Sequence, residues 1–341
     1  MNCRSLAPLL ALLAAACTKP PAAAPPRLHK QTRFALGPVA VSIQAVSART
    51  KQADRAIDAA FAAIAQVNNL ASSYLPQSEI SRFNTSRDGA VHLSAQTVAI
   101  LRRAHEISEL TGGAFDVTAA PLIRLWKQTI ESQQPPDAAQ LDAAKKLVGY
   151  KALVLGPNSV KANTPGMHID LGGIAKGYAI DQAVDALKAN GIANALVDAG
   201  GDGYALGTRP DGTPWRLGVQ DPDKPKETAR LGGLVLVLSH TAYATSGDYQ
   251  QFVEIDGVRY AHIIDPRTGR PARKAASVTV IAPDCTTADA LATAVSVLGV
   301  EPGLALINKL PRVECMILTR DGAGGLKIDT STGFQRHVQP E

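Results

Sequence analysis

The sequence predicts an α+β fold: one compact domain of two lobes, preceded by an export leader and a tether. Three observations predict it. Runs such as "VAVSIQAVSA" and "ASVTVIAP" have the short, apolar or alternating look of strands. Other runs place apolar residues at helical spacing and carry cap residues at their ends. The 341 residues are 45% hydrophobic and 19% charged, the balance of an ordinary globular chain.

Taken in order, residues 1–16 read as a signal peptide. Arg4 supplies a weak positive start, and "LAPLLALLAAA" is an apolar core too short to span a bilayer. Ala14, Ala15 and Ala16 precede Cys17, an arrangement like a bacterial lipoprotein box that makes Cys17 the expected lipidation site; a plain signal peptide cleaved nearby is the alternative. Residues 17–30, rich in Pro and Ala, read as an extended tether, and residues 31–341 as the folded domain. The first strand is "VAVSIQAVSA". Ile57, Phe61, Ile64 and Val67 then recur at helical spacing. A second helix starts at Ser94 and stops at Gly112 and Gly113, and a third lies in "PPDAAQLDAAKKLVGY". Strand-like runs follow at "NALVDAGGD", "LGGLVLVLS", "YATSGDYQQFVEIDGVRYAHIID" and "ASVTVIAP". The Pro-rich stretch 209–227 reads as loop.

Charge and cysteine content narrow the function. The net charge is +5 with scattered Lys and Arg, and 4% of residues are aromatic, so neither a nucleic-acid face nor a stacking platform is expected. Cys285 and Cys315, left after export, fit either a disulfide or two buried apolar side chains.

Three stretches have the residues for chemistry. "DLGGIAKGYAID" (170–181) puts glycines where a strand is expected to become a helix N-terminus, a place with free N–H groups that can hold phosphate. It fits neither the P-loop nor the dinucleotide fingerprint, and a packing turn without ligand explains it as well. In "TTADALATAVSVLG" the helix is expected to start near Thr286 or Thr287. Asp289 and Thr293 then fall about 40° apart on one face, with Leu291, Val295 and Leu298 opposite. A carboxylate and a hydroxyl one turn apart suit Mg²⁺, although Asp289 could equally serve the helix dipole. In "VEIDGVRYAHIIDPRTGRP", Asp256-Gly257 signals a hairpin, and His262 near the second strand's end suits proton transfer or a structural role.

"DLGGIAKGYAID", "ATSGDY", "HIIDPRTGRP" and "ADALATA", in that order, closely resemble the FAD:protein FMN transferase (ApbE) family. "SSYLPQSEISRFN" and "TGGAFDVT" resemble its two earlier motifs, and the resemblance spans roughly residues 34 to 330. It implies an α+β domain with FAD in a cleft between lobes. The implied reaction is Mg²⁺-dependent transfer of FMN from FAD to a Ser or Thr hydroxyl of an exported acceptor protein, releasing AMP. By motif, Tyr74, Ala114, Phe115, Asp116, Asp170, Lys176 and Ile264 would meet FAD. The Gly173 carbonyl, Asp289, Thr293 and the Ala292 carbonyl would hold the metal, and His262 would be the base. Leu36 stands where the family usually has Met, a change of similar volume that implies a slightly altered flavin pocket. The same site could instead hydrolyse FAD to FMN and AMP, and a non-catalytic flavin-binding lipoprotein is a third reading. The resemblance also implies a membrane-anchored protein facing the periplasm, with an acceptor in a membrane redox complex.

Overall fold

Residues 24–86, 90–224, 230–248, 252–255, 258–321 and 325–339 are described in a computed structural model of the chain. Strand β1 (Arg27–Leu36) pairs with β2 (Val39–Ser47) around Gly37, whose φ of 62° suits a residue without Cβ. Helix α1 (Thr50–Ala71) follows and buries Ile57, Phe61, Ile64 and Val67, the stripe its spacing predicts. Helix α2 (Glu79–Thr85) is capped by Ser78, and β3 (Ala90–His92) leads to α3 (Ala95–Leu110), where the Ser94 hydroxyl accepts from the Thr97 amide. Helix α4 (Ala120–Ser132) has Pro121 in its first turn, where a missing N–H costs nothing. Helix α5 (Ala138–Lys145) starts with a full capping box between Asp137 and Gln140. Strands β4 (Leu153–Leu155) and β5 (Ser159–Ala162) then precede α6 (Ala175–Ala189).

The second half supplies most of the sheet. Its strands are β6 (Ala195–Ala199), β7 (Asp202–Leu206), β8 (Trp215–Gln220), β9 (Arg230–Leu238), β10 (Thr241–Gly247), β11 (Phe252–Ile255) and β12 (Val258–Ala261). The short β13 (Ile264–Asp265) and β14 (Arg270–Pro271) form a ladder of their own, followed by β15 (Ser277–Ala282). Helices α7 (Cys285–Leu298) and α8 (Val300–Ile307), then β16 (Glu314–Arg320) and β17 (Leu326–Thr330), complete the order.

Eight strands form one antiparallel sheet in the order β1-β2-β6-β7-β10-β15-β16-β17. Alternate residues face opposite sides. Val278, Val280, Cys315 and Ile317 pack under α1, α6 and α7, whereas Tyr243, Ile281, Met316 and Leu318 pack on the β8–β9 hairpin through Trp215, Leu236 and Leu238. Burial on both faces explains why "ASVTVIAP" carries no charge and is mostly apolar, interrupted only by the buried Ser277 and Thr279. A lesser lobe gathers α4, α5 and β13 around Leu122, Trp126, Leu141 and Ile264.

Helices α1 and α6 lie antiparallel. Gln52, in the first turn of α1, donates to the Asn190 and Gly191 carbonyls past the end of α6, while Ser73, past the end of α1, donates to Asp170 ahead of α6. The 22 residues of α1 therefore separate two ends of the molecule by about 33 Å.

The fold differs from expectation in several places. Among the described residues, regular structure starts at Arg27, inside the stretch read as tether. Residues 215–220, read as loop, form β8, because Trp215 and Val219 are needed to cover the second sheet face. Residues 167–171, read as a strand, are extended but unladdered. Both backbone groups of Ile169 bond the Asn84 side chain, at 2.7 and 2.8 Å, and the Asp170 amide donates to the Val117 carbonyl. Cys285 and Cys315 are free and fully buried, the apolar alternative to a disulfide. Cys17, the leader and the Asp256-Gly257 turn lie outside the described residues; the Ile255–Val258 pairing that flanks that turn is present.

Candidate active site

The glycine loop and α7 meet at close quarters. A Cβ on Gly173 would stand 3.1 Å from Thr293 Oγ1 and 3.2 Å from Phe115 Cε2. A Cβ on Gly177 would overlap the Cys285 carbonyl and come within 2.9 Å of Asp289 Cβ. Gly177 is thus a close-packing glycine between α6 and α7. Its amide, one of the unpaired donors of the first turn of α6, donates to Asp289 Oδ2 at 2.9 Å. On the opposite side of this junction Asp181 accepts from the Cys285 and Thr286 amides, which fixes where α7 begins.

Helix α7 starts at Cys285, not at Thr286 or Thr287, with Asp284 as its cap. The face bearing Asp289 and Thr293 is no solvent face: Asp289 is 5% exposed and faces the first turn of α6. Leu291 and Val295 are fully buried on the other side, while Leu298 is only partly so.

A second carboxylate shares this space. Lys176 Nζ stands 2.9 Å from Asp202 Oδ2, and Asp202 Oδ1 accepts from the Thr245 amide at 3.1 Å. Burial works against the Lys176 ammonium, but Asp202 and then Asp289 more than offset it, so its pKa rises. Burial pushes the Asp202 carboxyl up against the pull of Lys176. Burial and then the Asp202 charge push Asp289 up to about 7. Two buried carboxylates therefore face one ammonium.

This donor set fits a hard divalent cation. Among the described residues, Asp289 Oδ1 receives no hydrogen bond, Thr293 offers a hydroxyl one turn on, and Gly173 lies against that hydroxyl. Ala292 is the weakest of the four expected donors, because its carbonyl already accepts from Ser296 Oγ at 2.8 Å.

The remaining predicted residues surround this junction. Ala114 and Phe115 are buried, and Ala114 packs with Ile263 and Val297, tying the loop that carries His262 to α7. His262 itself is exposed, between β12 and β13. Asp170 holds the Gly172 amide at 2.7 Å. Tyr74 is 76% exposed, and Lys127 donates to its hydroxyl at 2.7 Å. Leu36 packs partly buried at the turn end of the first hairpin. Two of the expected FAD contacts have side chains already engaged within the protein. Asp116 spends its carboxylate on the Thr118 amide and hydroxyl and on the Tyr150 amide, and burial raises its pKa. The Ile264 side chain packs inside the lesser lobe with Leu122 and Trp126.

The sequence reading missed Asp202, Ser246 and Arg267. Ser246 Oγ is 3.5 Å from Thr293 Oγ1, and Arg267, held bidentately by Asp265, passes Gly113. Asp202 had a signal: an acid opening an apolar strand straight after two glycines of positive φ.

Fold and site define a class: an α+β protein in which a helix N-terminal turn, a lysine and buried oxygen donors meet at one junction, a donor set that suits an oxygen-rich anionic ligand and a hard cation. The chain belongs to the ApbE family, whose model matches residues 38–317. It is 38% identical over 265 residues to the FAD:protein FMN transferase of Vibrio cholerae, covering 75% of this chain and 78% of that one. The enzyme of the same name from Haemophilus influenzae is 34% identical over 304 residues, covering 86% and 85%. The solved flavin transferase ApbE from Vibrio cholerae superposes with a TM-score of 0.80 at 32% identity, covering 92% of this chain and all of that one. The apbe protein from Thermotoga maritima gives 0.81 at 32% identity, covering 92% and 100%.

Proposed function

We propose that this chain, an FAD:protein FMN transferase, moves the FMN half of FAD onto a Ser or Thr hydroxyl of an exported acceptor protein with the help of Mg²⁺. The observation that carries the reading is the junction of the α6 first turn with Asp289 and Thr293 of α7, in a chain of the ApbE family.

Asp289, the Thr293 hydroxyl and the Gly173 carbonyl, joined by the Ala292 carbonyl, would hold the cation. Bound there, Mg²⁺ supplies Lewis acidity toward a pyrophosphate. Lys176, anchored on Asp202, adds fixed positive charge toward the phosphates, and its amide is the donor left to them in the first turn of α6 among the described residues, since the Ile174 and Ala175 amides donate to Leu171 and the Gly177 amide to Asp289. His262, exposed and therefore open to an acceptor, takes the proton from the attacking hydroxyl. The new bond joins that oxygen to the FMN phosphorus. The bond to the AMP phosphate breaks, and AMP leaves with the electron pair. The burial of Phe115 and Ala114 limits water around the junction.

Incubation with FAD, Mg²⁺ and a Ser/Thr-bearing acceptor peptide tests this. Flavin fixed to the peptide supports transfer, free FMN with AMP indicates hydrolysis, and intact bound FAD indicates a carrier. The exported, lipid-anchored reading has its own test. With membranes washed at about 0.5 M salt, which screens surface charge, Cys17→Ser should release the protein into the soluble exported fraction with transfer unchanged in vitro, and persistent membrane association in that salt overturns it.

A further inference from the structure

The end of the molecule away from the site carries a cluster of cations that the fold assembles from separate parts of the chain. Arg27 opens β1 and donates to Thr50 Oγ1 at the start of α1. Arg49, Lys51 and Arg55 line a recess of about 360 Å³ with Gln52, Ala189 and Asn190. All four cations are exposed, and none forms an ion pair with a carboxylate among the described residues. Of the nearby acids, Asp58 is engaged by Arg33 and Asp185 by Lys188 at 3.5 Å; Asp54, half-buried between Lys51 and Arg55 in sequence, offsets one of the four charges without forming an ion pair among the described residues.

Helix energetics do not explain these cations. Lys51 occupies the first turn of α1 and Arg49 its cap position, where the macrodipole favours acids, and that turn holds no acid. Nor do they serve the adjoining end of α6, since Gln52 takes the Asn190 and Gly191 carbonyls. Because α1 begins where α6 ends, the two dipoles oppose each other, and the side chains set the sign of this surface.

We propose that this basic end rests on an anionic phospholipid surface and thereby turns the flavin site outward. Charge complementarity and chain geometry both select that occupant. Arg27 is the tenth residue after Cys17, so an extended tether places the patch within about 31 Å of an anchor there. The site then lies about 33 Å further out, at the other end of α1. The proposal uses the lipid-anchor reading to choose the occupant, while the cation cluster exists without it.

The test uses the chain from residue 18, which has no lipid yet contains every described residue. Its co-sedimentation is measured with vesicles of phosphatidylcholine alone and with about three-tenths phosphatidylglycerol. Each Lys or Arg near such a surface contributes roughly fivefold to partitioning. Arg49→Ser/Lys51→Ser/Arg55→Ser should therefore lower binding to the anionic vesicles about 100-fold, with circular dichroism and flavin transfer to a free peptide unchanged. Binding should also vanish at about 0.5 M salt, where the Debye length is only a few ångströms. Equal binding of wild type and triple variant, or equal binding to neutral vesicles, overturns the proposal. So does competition by millimolar inorganic phosphate, which would mark a discrete anion site. Loss of transfer to an intact acceptor protein in the absence of vesicles would assign the patch to that protein instead and would equally overturn it. The Cys17→Ser experiment reads the anchor separately, so the two failures are distinguishable.

Discussion

The first turn of α6 and the last turn of the same helix handle charge in opposite ways. At the first turn Lys176, Asp202, Asp289 and Asp181 are buried or nearly so, and each is held by a named partner at hydrogen-bond distance. Beside the last turn Arg27, Arg49, Lys51 and Arg55 are exposed and unpaired among the described residues. Desolvating a charge is expensive, so a buried cluster persists only with fixed geometry, and fixed geometry is what positions phosphate and metal. An exposed cluster costs little and fixes no geometry, which suits a diffuse surface. The two ends of one helix thus teach different lessons: the buried, mixed-charge end would recognise a ligand by shape, the exposed basic end beside it a partner by sign.

Substitutions at the two ends should separate these roles. The largest effect is expected from His262→Ala, which should lower transfer by roughly 10²–10⁴ while FAD affinity, read by flavin fluorescence, changes only a few-fold. Unchanged turnover would make His262 structural and leave the site without its base. Next is Gly177→Ala. A methyl there meets the Cys285 backbone carbonyl, which a side-chain rotation cannot relieve, so the α6–α7 junction must open. A loss of about 3 kcal/mol is expected, read as a Tm lower by roughly 5 °C for a domain of this length together with weakened FAD binding. A stable variant with normal affinity would show that close packing does not organise the site. Thr293→Val should act more mildly. It keeps the shape and removes one neutral oxygen, so transfer should require several-fold more Mg²⁺ with Tm nearly unchanged. A steep loss of stability instead would assign Thr293 to the core.

Much of the fold was legible because its signals are local. The stripe of α1, the Ser94 cap and the β15 run all report their own element. What failed depended on distant partners. Residues 167–171 look like a strand, but Asn84 and Val117 take the backbone bonds a ladder would have used. β8 has few strand residues and exists because a sheet face needs covering. In the site, Asp289, Thr293, Gly173 and Lys176 were found by motif and do converge. Asp202 was missed because pairing between residues 176 and 202 leaves no periodic trace. Ile264 was assigned to the cofactor, yet its side chain points into the lesser lobe, a matter of strand register that the motif does not encode. The basic end was overlooked although most of it is local: Arg49, Lys51 and Arg55 lie within seven residues, and only Arg27, which meets Thr50, comes from elsewhere in the chain.

In the proposed mechanism α7 presents a metal site to the first turn of α6, and Asp289→Asn probes that site at its one charged donor. The substitution keeps the side chain's size and leaves an oxygen for the Gly177 amide, but removes the charge that holds a hard cation. Mg²⁺ is titrated against both FAD binding and flavin transfer for wild type and variant, with circular dichroism as the folding control. The account predicts a folded variant whose half-maximal Mg²⁺ rises at least tenfold in both readouts, with transfer partly restored at high Mg²⁺. Superimposable titration curves for the two proteins would contradict it.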